Sequence, residues 1–233
     1  MPSAWIPSLD LAAHLIPARQ LEAREKRRRL ATGIAPLDEL LGGGWTCGAL
    51  NELCGGRSSG RTSVLLTSLA AALHRGESAA LIDVGGVLDP RAAARVGLPL
   101  ARLLWVRTDD ERRELVANKA LTATQLVLGA GGFALVTVDL GEECPRVPMA
   151  TWTRLKRSAN AQHTALLVAT SHKLAGTQGA SSLRLRPLRP RMDAGQTAAE
   201  PLLRGLDVSA QIERGETRTE DERPFTLAHS LYR

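Results

Sequence analysis

The sequence predicts an α/β fold, with a central, mostly parallel β-sheet flanked by helices and a C-terminal β-hairpin. Three observations predict it. Short apolar runs alternate with longer helix-periodic stretches, the pattern by which parallel strands are joined through helical crossovers. A glycine-rich turn between Gly55 and Gly60 joins one apolar run to the helix-periodic stretch after it. The chain closes on two segments of period-two alternation around a polar turn, which reads as a hairpin.

The 233 residues suit one main domain with short appendages. With 44% hydrophobic and 23% charged residues, the composition excludes wholesale disorder, a collagenous repeat and a disulfide mini-protein. No apolar run approaches the roughly 18 residues of a membrane span, and the first residues lack a secretory pattern. A cytoplasmic location is therefore expected. Cys47, Cys54 and Cys144 form no CxxC pair, so neither a disulfide framework nor a zinc site is expected. The net charge of +6 points to an anionic partner such as nucleic acid. An arginine-rich coding bias is the alternative.

The elements follow in chain order. Residues 1–31 are read as an N-terminal arm, whose charged stretch from Ala18 to Leu30 carries Lys26-Arg27-Arg28-Arg29 on an exposed helix or arm. Residues 32–191 form the core. Its strands are expected at Ala49–Leu53, Ala79–Asp83, Leu103–Arg107, Ala134–Asp139 and Ala165–Ala169. Thr62–His74 carries Val64, Leu65, Leu69 and Leu73 at helical spacing. Thr108-Asp109-Asp110-Glu111 is a capping box that starts another helix, and a third helix is expected over Thr151–Asn160. Residues 192–233 are read as a loop over Met192–Glu200 and a hairpin of Leu206–Ile212 with Phe225–Leu231.

Chemical content concentrates at Gly55-Gly56-Arg57-Ser58-Ser59-Gly60-Arg61-Thr62-Ser63. This is the phosphate-loop pattern GxxxxGK[ST], in which backbone N–H groups and a helix N-terminus surround phosphates, lysine reaches the β and γ phosphates, and the hydroxyl binds magnesium. Arg61 stands where the pattern has lysine. Its planar fork is longer than an ammonium, so nucleotide binding is expected to be weakened or altered. The plain alternative is a Gly/Ser turn that only joins strand to helix.

The stretch from Ala31-Thr32-Gly33-Ile34 through Asp38 to Gly44-Trp45, the phosphate loop, Leu81-Ile82-Asp83 with Asp89-Pro90, Leu103-Leu104-Trp105 and Val136-Thr137-Val138-Asp139 together resemble the RecA recombinase family in order and spacing, over Ala31 to Arg191. The resemblance implies a RecA-like core. It also implies a nucleotide site of Gly55, Gly60, Arg61, Thr62, Ser63, Asp89 and Asp139, holding ATP or ADP with magnesium weakly if at all. The family's water-activating glutamate falls at Gly85, its adenine-stacking tyrosine at Ala92 and its γ-phosphate-sensing glutamine near His172. Those departures imply loss of ATP hydrolysis.

Both DNA-contacting loops are short by the same comparison. The first, after Asp139, carries Glu142 and Glu143, which would repel phosphates; the second, after His172, includes Lys173. Arg184, Arg186, Arg189 and Arg191 are the candidate strip for weak, sequence-independent DNA contact, and a solvated edge strand is the alternative. The eroded site and the Arg/Pro-rich exit after Ser182 are similar to the bacterial ImuA family. That similarity implies a non-catalytic accessory protein of DNA-damage-induced (SOS) mutagenesis and translesion synthesis. Its implied partner is ImuB, an inactive relative of Y-family polymerases, with RecA and an error-prone DnaE-type polymerase as further candidates and the nucleoid as its site after damage. The edge strand with Arg102, Leu103, Trp105, Arg107 and the following Leu115 is the candidate docking surface; burial of Trp105 in the core is the alternative. A divergent ATP-dependent recombinase and a SulA-like inhibitor of cell division are the competing readings.

Overall fold

A computed structural model describes residues 27–86, 88–95, 97–108, 113–142, 146–192, 203–215 and 222–228. In chain order these form strand β1 (Arg29–Leu30), helix α1 (Ala35–Leu40), β2 (Trp45–Thr46), β3 (Ala49–Cys54), α2 (Arg61–His74), β4 (Ala79–Asp83), α3 (Pro90–Arg95) and a 3-10 turn (Leu100–Arg102). There follow β5 (Leu103–Arg107), α4 (Arg113–Ala130), β6 (Leu135–Asp139), α5 (Met149–Ala161), β7 (Ala165–Thr170), β8 (Ser181–Met192), β9 (Leu203–Arg214) and β10 (Arg223–Ala228).

Strands β3 to β10 make one eight-stranded sheet in the order β10-β9-β8-β3-β7-β6-β4-β5. Pairing is parallel from β8 across to β5, and β9 and β10 extend the sheet antiparallel. Strands β3, β4, β6 and β7 are buried throughout, which explains their continuous apolar runs: both faces of a parallel sheet are covered by helices.

Alternate side chains feed two layers. Leu53, Leu81, Leu135 and Leu167 pack with Val64, Leu65, Leu69 and Leu73 of α2. Leu50, Ile82, Val136 and Leu166 pack on the other face with Leu121 and Leu128 of α4 and Trp152 and Leu155 of α5. The first layer continues under β8 to β10 through Leu183, Leu185, Val208, Phe225 and Leu227, so the terminal hairpin shares the core's hydrophobic interior.

Several expectations change. The helix or arm expected through Leu30 ends instead in β1, which pairs antiparallel with β2. Leu30 is drawn into the core there, and Gly44 admits the close approach, since a Cβ on it would lie 2.1 Å from the Leu30 carbonyl oxygen. Residues 1–26 lie outside the described residues. Met192, expected in a loop, closes β8, because ladder bonds to β9 carry the Arg/Pro-rich segment that far. Most of the expected loop (193–202), the hairpin turn (216–221), the end of the second hairpin segment (229–231), Cys144, Glu143 and the acidic part of the capping box lie outside the described residues.

Candidate functional site

The glycine-rich turn sits at the carboxyl end of β3 and opens α2. This is where an open α/β sheet places its ligands. Two glycines are required by close approach. A Cβ on Gly55 would lie 2.3 Å from Ser59 Oγ, and one on Gly60, which has φ +86°, would lie 2.4 Å from Leu227 Cδ1. The second contact shows the terminal hairpin packed directly on the phosphate loop.

A cavity of about 590 Å³ lies over this loop, with Gly60, Arg61, Thr62, Ser63 and Glu142 on one side and Pro187, Leu188, Leu206 and Leu227 on the other. One wall is polar and rich in backbone; the other is mostly apolar but includes Arg189.

Arg61 heads α2 and is buried. Its Nη1 donates to the carbonyl oxygen of Gly55. Its Nη2 donates to Glu142 Oε1 at 2.9 Å and stands 3.9 Å from Asp139 Oδ1. Asp139 closes β6, and its Oδ1 accepts the Gly141 N–H at 2.9 Å. Burial pushes the Asp139 carboxyl above its ordinary range; the Arg61 charge and the Gly141 N–H pull it back. A cation is thus already in place between the loop and the acid that would face magnesium in a phosphate loop. Glu142, expected only to repel phosphates, is the exposed arm of this network, and its backbone carbonyl accepts the Ser171 hydroxyl at 2.6 Å.

The other expected nucleotide residues divide. Thr62 and Ser63 line the cavity. Asp89 does not: its Oδ1 accepts the N–H groups of Arg91 and Ala92 and so caps α3, the ordinary work of an aspartate just before a helix. Gly85 is exposed beyond β4. Asp83, also buried at that strand's end, accepts the Leu88 N–H at 3.2 Å and Trp105 Nε1 at 3.1 Å. The ring of His172 is exposed, with Nδ1 2.9 Å from Ser171 Oγ.

The arginine strip is met by acids. Arg184 bonds Glu213, which raises its affinity for its proton. Arg186 bonds Glu222 at 2.7 Å, while Arg189 and Arg191 reach Asp207 at 2.8 and 2.6 Å. Those two arginines and the Thr226 hydroxyl hold the Asp207 carboxyl well below the usual carboxylate range. Strand β8 is not an edge over its first residues, since it lies between β3 and β9. Lys173 is half-buried in the loop after β7.

Among the described residues, strand β5 is the edge of the sheet opposite the hairpin. Leu104 is 42% exposed there, and Arg102 and Arg107 are exposed. Trp105 packs against the core layer, with the Arg107 guanidinium 6.0 Å from its ring centroid. Leu103 and Leu115 are half-buried.

Sequence reasoning missed Glu142 as Arg61's partner and the hairpin as the cavity's second wall. The run Gly141-Glu142 after an apolar strand hinted at the first; nothing local signalled the second.

A glycine-rich loop between a buried parallel strand and a helix, facing an aspartate at the end of a neighbouring strand, defines a protein of the phosphate-loop α/β class. The RecA N-terminal domain family matches residues 18–153, and the chain belongs to that family. Protein RecA of Arthrobacter sp. (strain FB24) is 34% identical over 119 residues, covering 51% of this chain and 32% of the relative. For Protein RecA of Streptococcus agalactiae the identity is 35% over 119 residues, covering 50% and 30%. For that of Borreliella afzelii (strain PKo) it is 34% over 113 residues, covering 48% and 29%. The chain spans about a third of the length of these relatives. No helix among the described residues is long and apolar enough to cross a membrane.

Proposed function

We propose that this chain is a non-catalytic RecA-like accessory protein of DNA-damage-induced mutagenesis and translesion synthesis, acting by contact with ImuB and with RecA. The observation that carries the loss of catalysis is the Arg61 network. Its guanidinium is held by Gly55, Glu142 and Asp139, where a phosphate loop offers a lysine to the γ-phosphate. Glycine at position 85 supplies no group to orient water. The fold is kept while the groups that would hydrolyse ATP are replaced or internally neutralised.

The exposed edge of β5 supports a docking role, since open backbone groups accept an added strand and flanking side chains select it. Leu104 and Arg107 face out there, whereas Trp105 is committed to Asp83 and the core. Leu104→Asp with Arg107→Glu should therefore abolish capture of ImuB without lowering the melting temperature. Retained capture refutes docking on this edge.

The test of catalysis is phosphate release from ATP with and without single-stranded DNA. The expected rate is background for the natural chain and for Arg61→Lys. DNA-stimulated turnover refutes the proposal. A second reading, weak nucleotide binding without hydrolysis, is favoured by the 590 Å³ cavity over the loop. It requires Arg61 to leave its carboxylate partners, so Glu142→Gln should tighten nucleotide binding measured by calorimetry.

A further inference from the structure

The ion pairs of β8 are not balanced along its length. Arg184 meets Glu213 and Arg186 meets Glu222, one acid for each arginine. Farther along, Arg189 Nε and Arg191 Nε both donate to Asp207, at 2.8 and 2.6 Å, so two guanidiniums share one carboxylate. The Thr226 hydroxyl donates to the same carboxylate at 2.7 Å. The Asp207 side chain is 11% exposed, whereas those of Arg189 and Arg191 are 76% and 53% exposed. The acid is thus the covered member, gripping both heads by their Nε atoms and leaving the Nη donors toward solvent.

An apolar rim adjoins this pair. Leu188, Met192 and Leu203 are about half exposed, and they are three of the six large hydrophobic side chains exposed among the described residues. Scattered singly such residues mean little, but a cluster marks a contact surface. The backbone brings them together. Leu188 is the extra residue between Pro187, paired with Val208, and Arg189, paired with Asp207, and a bulge of this kind re-aims a side chain. Met192 and Leu203 are cross-strand partners at the end of the same ladder. Leu188, Arg189 and Leu203 all line the phosphate-loop cavity, so the arginines and the rim form one surface beside it.

The chemistry of this surface selects its occupant. A guanidinium presents its outer N–H groups as a planar fork that matches a carboxylate. A nucleic-acid strand carries a charge at every nucleotide and stacks its bases on aromatic rings. Here the arginine pair has an excess of one charge, and the exposed neighbours are Leu188, Met192 and Leu203, none of them aromatic. An extended peptide sends alternate side chains to opposite sides, so it offers acids to the arginines and apolar groups to the rim.

We propose that Arg189 and Arg191, with Leu188, Met192 and Leu203, form a docking surface for an acidic, apolar segment of a partner protein. Asp207 is its positioning residue, since it fixes the spacing of the two guanidiniums. The surface lies across the sheet from β5 and is independent of the contact proposed on that edge. Binding there weakens with salt, because both arginine heads are exposed.

The test selects short peptides from a random display library on the full chain and measures the most enriched one by anisotropy. The enriched sequences should combine Asp or Glu with Leu, Ile, Phe or Trp. Arg189→Gln/Arg191→Gln should weaken that peptide about tenfold, as expected for two screened ion contacts. Leu188→Ser/Leu203→Ser should weaken it by about tenfold through lost apolar contact. This second variant leaves the Asp207 bonds intact and should keep the parent's melting temperature, which separates lost binding from lost folding. Exchanging the peptide's acids for Gln and Asn should add little to the arginine variant, because both changes remove the same contacts. Leu104→Asp/Arg107→Glu on β5 should bind as the parent does.

A selection that enriches no peptide, or peptides without acids, overturns the proposal. So does binding kept by both variants of this surface, or lost in the β5 variant instead. Displacement of the peptide by oligothymidylate, with oligothymidylate binding lost in the same two variants, makes a nucleic-acid strand the occupant and also overturns it. Self-association of the chain that those variants abolish does so in favour of a second copy.

Discussion

Arg61→Ala tests the central feature of the phosphate-loop site. The substitution removes a buried guanidinium from two hydrogen-bond acceptors, Gly55 and Glu142, and from the Asp139 carboxylate 3.9 Å away. The Gly55 bond is charge-assisted, and losing it is worth about 2 kcal/mol. The Glu142 side chain is 37% exposed, so solvent screening limits that pair to about 0.5 kcal/mol. The Asp139 carboxylate is buried and loses its nearest cation at the outer limit of an ion pair, adding about 0.5 kcal/mol. The sum is about 3 kcal/mol, a fall of about 6–12 °C in Tm for a chain of this size.

The effect carries a pH signature. Because the folded protein holds the Asp139 proton more tightly than the unfolded chain does, stability falls as pH rises from the ordinary carboxyl value through the raised folded one. Arg61 is the largest influence lowering that folded value. In Arg61→Ala the sensitive window therefore reaches higher, and the loss relative to the natural chain grows with pH and is smallest in acid. Urea unfolding at a series of pH values measures this, and adding Glu142→Ala to Arg61→Ala should cost little more. A loss below about 1 kcal/mol, or one that is flat between about pH 5 and pH 8, refutes the assignment of Arg61 as the counterion of Asp139.

Two further perturbations probe the walls of the same cavity. Gly60→Ala combines a left-handed backbone with a methyl 2.4 Å from Leu227 Cδ1; it should destabilise by at least about 1–2 kcal/mol and expose the cavity to an environment-sensitive dye, and an unchanged melting temperature refutes the packing. Asp207 is held ionised by Arg189, Arg191 and Thr226, so its contribution is present above the ordinary carboxyl value and lost as pH falls. Asp207→Asn should lower Tm at neutral pH and flatten the acid limb of the Tm–pH curve; parallel curves refute it.

The inner strands were legible because they are buried on both faces, so their apolar runs are uninterrupted, and β4 begins and ends where the pattern places it; the edge strand β5 keeps its expected bounds although it is only half-buried. The phosphate loop was legible for a different reason: glycines at 55 and 60 answer to contacts that only a missing Cβ satisfies. The partners of Arg61 were not. Glu142 is distant in sequence and lies in a loop whose composition fixes no geometry, so which acid turns toward the arginine is decided by tertiary packing. The arginines of β8 show the same limit from the other side: their spacing announced positive charge, but the carboxylates that meet it come from β9 and from Glu222, the residue just before β10. Asp89 was placed by a family pattern, whereas its local context, an aspartate before a proline-led helix, already described a cap.

The position of β3 bears on how the chain acquires its shape. Its ladder partners on β7 and β8 stand far along the chain: Thr170 pairs with Cys54 116 residues later, and Ser181 meets Asn51 130 residues later. Closing loops of that length is entropically slow, and contacts so distant in sequence lower folding rates. During synthesis the strand that carries the phosphate loop emerges early, with all six of its residues destined for burial, and waits until β7 has been made for its first ladder partner and until β8 for its second. The strand beneath the loop is thus completed late, and an interruption of translation before β7 leaves an adhesive strand in place of a nucleotide-site scaffold.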